Sequence, residues 1–327
     1  MSNGRNEYKN KIDKKISDFL ERNKDKNCLN GFRYFIDGMS FTSVYSYVTI
    51  VNHFLDISGK TPENLTIDDY TIYLGKLKRE DRTPSYRIVT YTALKKFSDY
   101  LYSRGISDKN PMQYVERPKG KEKIETEKKR ETGFLETSEI KELNSNIESG
   151  IGSKKAKSFQ KRTKERDRAI VTIFLNTGMR CSALCNLDVS DLHPDKKQIS
   201  GKDKGDKTFI YNLTDEAWEN IEKWLLKRNT INSNTDALFI KDNGQRLGYQ
   251  GVNRLIKKYS KSIEGKNITP HKLRATYGTQ LYNATKDIKF VQKCMNHSNP
   301  QTTMLYIRGD ENKTKEASEI MSKLISG

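Results

Sequence analysis

Residues 117–131 hold seven basic and four acidic side chains and almost nothing apolar. A stretch like that cannot enter a core, because buried unpaired charge costs more than its few apolar neighbours return. It reads as a solvated linker, so the chain must fold separately on either side of it. The 327 residues allow about two domains, each able to bury an apolar core without a metal or disulfide staple.

Residues 1–116 read as helical throughout. Ile12, Ile16, Phe19 and Leu20 recur at helical spacing within residues 7–23, and Val44, Tyr47, Val48, Val51 and Leu55 do so within 40–57. Gly59, Lys60, Thr61 and Pro62 break the second helix. Thr66 caps a third through Tyr70, Tyr73, Leu74 and Leu77. Thr83 and Pro84 open a fourth, with Ile88, Tyr91, Leu94, Phe97, Leu101 and Tyr102 inward, which ends at Gly105. Asn110 and Pro111 close this bundle.

Beyond the linker the pattern is mixed. Phe134 begins the second domain, and Thr137 or Ser138 caps a short helix. Residues 154–168 hold eight basic and two acidic side chains, and an apolar helix then runs over 167–175 and stops at Thr177 and Gly178. Arg180 emerges from that glycine turn at the mouth of another helix, through Ala183 and Leu187. Residues 197–200 and 208–213 read as two strands of a hairpin whose tip holds Lys202, Lys204, Gly205 and Lys207. Thr214 caps a helix with Trp218, Ile221, Trp224 and Leu225 inward, residues 237–240 read as a third strand, and Val252, Leu255, Ile256 and Tyr259 mark a further helix. The fold class is therefore mainly α with a small β-sheet in the second domain.

Lys and Arg number 60 against 42 Asp and Glu, a net charge of +18. That surplus suits a polyanionic partner, since neutralising phosphates releases counterions, or else a lysine-rich surface that keeps the protein in solution. Within 154–168, Lys154, Lys155, Lys157, Lys161 and Arg162 are candidate phosphate contacts, as are Lys202 and Lys207 of the hairpin. Cys28, Cys181, Cys185 and Cys294 form no Cys-x-x-Cys pair and no ligand set with His; a reducing cytoplasm fits this usage, and Cys181 and Cys185, one turn apart, read as small buried residues. No apolar run approaches about twenty residues, and the polar, charged start of the chain does not read as a signal peptide.

Chemistry concentrates in residues 268–306. Thr269 and Pro270 start a helix on which Leu273, Tyr277 and Leu281 form a buried stripe, while His271 and Arg274 share another face of its first turn. A helix N-terminus attracts anions, and an arginine fork adds bidentate contact to a phosphate. A second helix presents Ile288, Val291 and Met295, with His297 just beyond it. Ser298 and Pro300 repeat the cap-and-proline start before Tyr306. Each piece alone has a bland reading: a surface ion pair for Arg180, a satisfied structural His, a core Tyr.

In order, Asn176-Thr177-Gly178-Met179-Arg180, a hairpin Lys, Thr269-Pro270-His271-Lys272-Leu273-Arg274, Asn296-His297-Ser298 and Tyr306 resemble the tyrosine recombinase, or phage integrase, family over nearly the whole chain. The resemblance implies a helical (SAM-like) core-binding domain at 1–116, a basic linker at 117–132 that straps two halves of a C-shaped DNA clamp, and a catalytic domain at 133–327. It implies Tyr306 as nucleophile, Arg180 and Arg274 as phosphate clamps, His297 as a further donor, His271 assisting proton removal, and a hairpin Lys protonating the leaving 5′ oxygen. Aligning the family's Lys-Gly-x-Lys phrase favours Lys204 for that task, with Lys202 second. No metal or other cofactor is implied, because the cations are side chains. Three positions depart from the family: Ala183 stands where an acidic residue is usual, Ala275 replaces a frequent basic residue, and Asn296 replaces the usual Gly.

The resemblance further implies double-stranded DNA with specific recombination sites as partner, a tetramer on paired sites, and an accessory directionality factor in some settings. Residues 312–325 carry Ala317, Ile320, Met321, Leu324 and Ile325 on one helical face, which in the family docks onto a neighbouring subunit. A mobile-element integrase or excisionase is the first biological setting, an Xer-type dimer-resolving recombinase the alternative. A type IB topoisomerase shares the same residue types, and a DNA-binding protein with a relic site is the non-enzymatic rival. A bacterial or archaeal, nucleoid-associated cytoplasmic protein is the expected context.

Overall fold

The computed structural model describes residues 3–24, 26–120, 133–202 and 208–296. The chain divides into two compact units, Met1–Thr126 and Glu127–Gly327. Among the described residues no helix is long and apolar enough to cross a membrane.

The first unit is helical: α1 (Asn3–Arg22), α2 (Asn27–Phe35), α3 (Phe41–Ser58), α4 (Ile67–Arg79) and α5 (Pro84–Ser103). Local signals set the starts. Ser40 accepts from Ser43 N, Thr83 accepts from Tyr86 N with Pro84 behind it, and Thr66 forms a capping box with Asp69. The core is aromatic: Phe54 stacks on Tyr70 with ring centres 4.8 Å apart, and Phe32 meets Phe97 edge to face at 5.3 Å. Helix α2 is absent from the sequence reading. It is nine residues long with Gly31 at its centre, a weak helix by propensity, and Leu29 and Phe32, both fully buried, hold it by packing.

The second unit holds α6 (Thr137–Ser149), α7 (Lys154–Thr177), α8 (Cys181–Cys185), β1 (Leu192–His193), β2 (Gln198–Lys202), β3 (Thr208–Asn212), α9 (Asp215–Arg228), α10 (Tyr249–Tyr259), α11 (Pro270–Thr285) and α12 (Ile288–Cys294). The three strands are antiparallel in the order β1-β2-β3, with Ile199 opposite Tyr211. Mainly α with one small sheet is thus the observed class, and Trp218 and Trp224 lie in the core as the spacing implies.

Three local readings need correction. Residues 237–240 are not a third strand: Ala237 and Ile240 make only isolated bridges, to Asp188 and Arg246, and the third strand is β1. The segment is extended because Leu238 N donates to Leu187 O and Trp224 Nε1 to Leu238 O, each at 2.8 Å, so its backbone is satisfied by core neighbours instead of a ladder. The cap of α6 is Glu136, in a capping box with Glu139, one residue before the expected hydroxyls. The basic run and the apolar helix after it are one 24-residue helix, α7, opened by Ser153.

That helix changes character along its length. Lys154, Lys155, Lys157, Lys161 and Arg162 are exposed, and Arg162 lies over the Phe159 ring at 5.1 Å. One turn on, Asp167 is fully buried and accepts from Arg166 Nε and Nη2 (3.0 and 2.8 Å), Thr163 Oγ1 (3.1 Å) and Tyr259 OH (3.0 Å). The network joins α7 to α10 and turns the last three turns of α7 into the spine of the domain.

Candidate active site

The site begins where α7 stops. Gly178 takes φ 57, which a residue with Cβ adopts at a cost, and a Cβ there would stand 2.3 Å from Tyr277 Cδ1. Glycine therefore lets the turn lie against α11. Two residues on, Arg180 is the N-cap of the one-turn helix α8, half-buried.

Arg274 lies on the first turn of α11 and is 3% exposed. Its Nη1 donates to Gly178 O and its Nη2 to Met295 O, each at 2.5 Å. These two carbonyls fix the plane of the fork without neutralising its charge. Arg274 therefore bridges the turn before Arg180 and the end of α12, elements 96 and 21 residues away in sequence.

His271 sits three residues earlier, on the turn that Thr269 caps by accepting from Lys272 N. The residue keeps an exposed face. Partial burial of the ring first, then the fields of Arg274 and Arg180, hold its pKa below the usual histidine range. Both guanidiniums act electrostatically on one imidazole, and Arg274 holds the turn that leads to Arg180. At neutral pH this places two cations beside a neutral ring able to accept a proton, a pocket of charge suited to a phosphate.

Two further groups line the site that the sequence reading did not assign. Tyr211 on β3 is buried, its pKa raised by that burial and opposed by Asn296, Arg274 and Arg180. Asn296 Nδ2 donates to the Tyr211 hydroxyl at 3.4 Å. The inward alternation of Phe209 and Tyr211 carries the only sequence signal, and it reads as core.

The departures have local accounts. Ala275 packs, partly buried, with Tyr277, Leu281 and Ile288 against Tyr282, Val291 and Met295, a small apolar cluster joining α11 to α12. Ala183 is buried in α8. The predicted stripe divides: Leu273 enters the main core, Tyr277 and Leu281 the small cluster. Lys204, Lys207, His297 and Tyr306 lie outside the described residues, as does the segment 312–325; Lys202 ends β2.

A buried arginine held by two carbonyls, beside a histidine that its field and that of Arg180 keep neutral, sits on a mainly helical domain with one small antiparallel sheet. The chain belongs to the phage integrase family, whose model matches residues 133–313; the family comprises tyrosine recombinases, which break and rejoin DNA at specific sites. Tyrosine recombinase XerC of Caldanaerobacter subterraneus subsp. tengcongensis is 32% identical over 268 residues, covering 80% of this chain and 70% of the relative. XerC of Leptospira interrogans serovar Lai is 28% identical over 310 residues, 94% of this chain and 91% of the relative. Among solved structures, XerH site-specific recombinase bound to a palindromic difH substrate, a post-cleavage complex, aligns with TM-score 0.65 at 18% identity over 91% of this chain and 96% of that one. A lambda integrase dimer bound to a COC′ core site aligns with TM-score 0.65 at 16% identity, over 87% and 96%. These structural likenesses support the fold.

Proposed function

We propose that the chain cleaves and rejoins DNA strands through a 3′-phosphotyrosyl intermediate on Tyr306. The observation that supports this reading most is the buried Arg274 fork, tied to the turn before Arg180 and acting with it on His271. A tyrosine hydroxyl is a weak nucleophile near neutral pH, with a pKa of about 10. In the proposed step its oxygen attacks phosphorus and the bond to the 5′ oxygen breaks. The phenolic proton passes to His271, whose lowered pKa suits a base that is neutral beforehand. Arg180 and Arg274 stabilise charge on the non-bridging oxygens, His297 adds a hydrogen bond, and Lys204, or Lys202 in its place, protonates the departing 5′ oxygen. The phosphotyrosyl bond keeps the energy needed for rejoining, and a 5′ hydroxyl reverses the steps.

The XerC relatives support an Xer-type recombinase acting on two paired sites over a mobile-element integrase or excisionase. The partner in this reading is double-stranded DNA carrying specific sites. A tetramer completed by the 312–325 segment belongs to the same proposal; truncation after Asp310 should abolish recombination and spare DNA binding.

The test is incubation with supercoiled plasmid and a pool of fragments from the protein's own genomic neighbourhood. A covalent protein-DNA band at one sequence, lost in Tyr306→Phe, is the expected result. A band without sequence preference, accompanied by relaxation, would replace the recombinase with a topoisomerase. No band under any condition would leave DNA binding alone.

A further inference from the structure

Asn296 ends the turn after α12 at φ 52, in the left-handed region that glycine adopts more readily than a residue with a side chain. Glycine is the residue the resemblance leads one to expect there. An asparagine at such a position gains something from its side chain, and here Nδ2 donates to the Tyr211 hydroxyl at 3.4 Å, the long end of a hydrogen bond. The phenol reaches that point because β2 makes room for it: a Cβ on Gly201 would stand 2.9 Å from Tyr211 Cε2. The residue before Asn296 is the one whose carbonyl accepts from Arg274 Nη2. Two consecutive residues therefore tie the end of α12 to two different parts of the site, Met295 to the arginine fork and Asn296 to the sheet.

We infer that Tyr211 and Asn296 form a latch that holds the β2-β3 hairpin in register with the Arg274 fork, and that both are positioning residues for strand cleavage. The hairpin is the element that carries Lys202 and Lys204 in sequence, and Asn296 is the last described residue before His297. The latch thus ties the strand pair that carries these lysines in sequence to the element that holds the Arg274 fork. Misplacement by about 1 Å can cost a factor of about 10² in rate, so a single tether at this junction is enough to matter. Burial raises the Tyr211 pKa, so the phenol stays a neutral acceptor and does not compete with phosphate for the guanidiniums.

The inference rests on the recombinase reading, and the two fail differently. Single-turnover cleavage at saturating DNA is compared for the parent, Tyr211→Phe, Asn296→Gly and the double variant. Glycine keeps the left-handed turn and removes only the side chain. Each single substitution should slow cleavage by about 10-fold or more, leave the DNA Kd within about twofold, and give a double variant no slower than the slower single, because both substitutions remove the same hydrogen bond. Parental rates in both singles, or a double loss equal to the product of the separate losses, would overturn the latch. The urea midpoint supplies a readout independent of chemistry: the double variant should shift it by less than the sum of the single shifts, and full additivity would remove the hydrogen bond itself. A parent that forms no covalent link would sink the recombinase reading, and the catalytic role of the latch with it, whatever the unfolding data show.

Discussion

Arg274 does two jobs at once. It bridges two backbone carbonyls and presents its charge to the site, tasks that a lysine with the same charge cannot combine. Arg274→Lys should therefore slow cleavage by about 10²–10³-fold, the usual cost of one lost transition-state donor, with DNA affinity nearly unchanged; equal loss of affinity and rate would instead make it a ground-state contact. His271 titrates in the opposite sense to a paired histidine. Its folded pKa lies below the unfolded value of about 6.5, so the unfolded chain binds the extra proton first and stability falls as pH drops through that region. His271→Asn should flatten that fall, and bound inorganic phosphate should raise the His271 pKa in NMR titration by offsetting Arg274 and Arg180. A phosphate-insensitive pKa would place the anion elsewhere. His271 and Arg274 were legible in the sequence because Thr269 and Pro270 fix where the helix starts. The contact of Arg274 with the Gly178 turn was not, since nothing in local pattern shows that a buried fork will meet a carbonyl 96 residues away. Tyr211 was hidden for a related reason: a tyrosine facing inward on a strand looks like core until its hydroxyl finds a partner.

At the scale of elements, α7 joins an exposed basic half to a buried half, and the two halves make separate predictions. Replacing Lys154, Lys155, Lys161 and Arg162 with Gln should weaken DNA binding and flatten its salt dependence by about 0.9 in slope for each phosphate no longer neutralised. The thermal midpoint should stay put, since these side chains are exposed; unchanged affinity at about 0.1 M salt would take this half-helix off the DNA. Asp167→Ala should cost about 3–5 kcal/mol in urea unfolding, because Arg166 would lose its buried carboxylate and Tyr259 and Thr163 theirs; a loss below about 1 kcal/mol would mean that the network is solvated. Most helices were readable because caps and apolar spacing agree, as at Ser40, Thr83 and Thr214. Helix α2 escaped because tertiary packing, not propensity, holds it. Residues 237–240 misled because an apolar run looks the same whether its backbone is met by a strand or by Leu187 and Trp224.

At the scale of the whole molecule, the net charge of +18 suits a polyanionic partner, and the family to which the chain belongs breaks and rejoins DNA. The charge-rich stretch was the clearest global signal in the sequence, because composition alone forbids it a core. In the proposed mechanism Arg180, His271 and Arg274 supply the chemistry of the second unit, and a single tyrosine completes it. The most direct measurement is therefore to trap the protein on a nicked suicide duplex of its own site, digest the complex, and map the DNA-bearing peptide by mass spectrometry. One adduct is expected, a 3′-phosphate ester on Tyr306. An adduct on any other residue, or a cleaved strand with no protein attached, would contradict it.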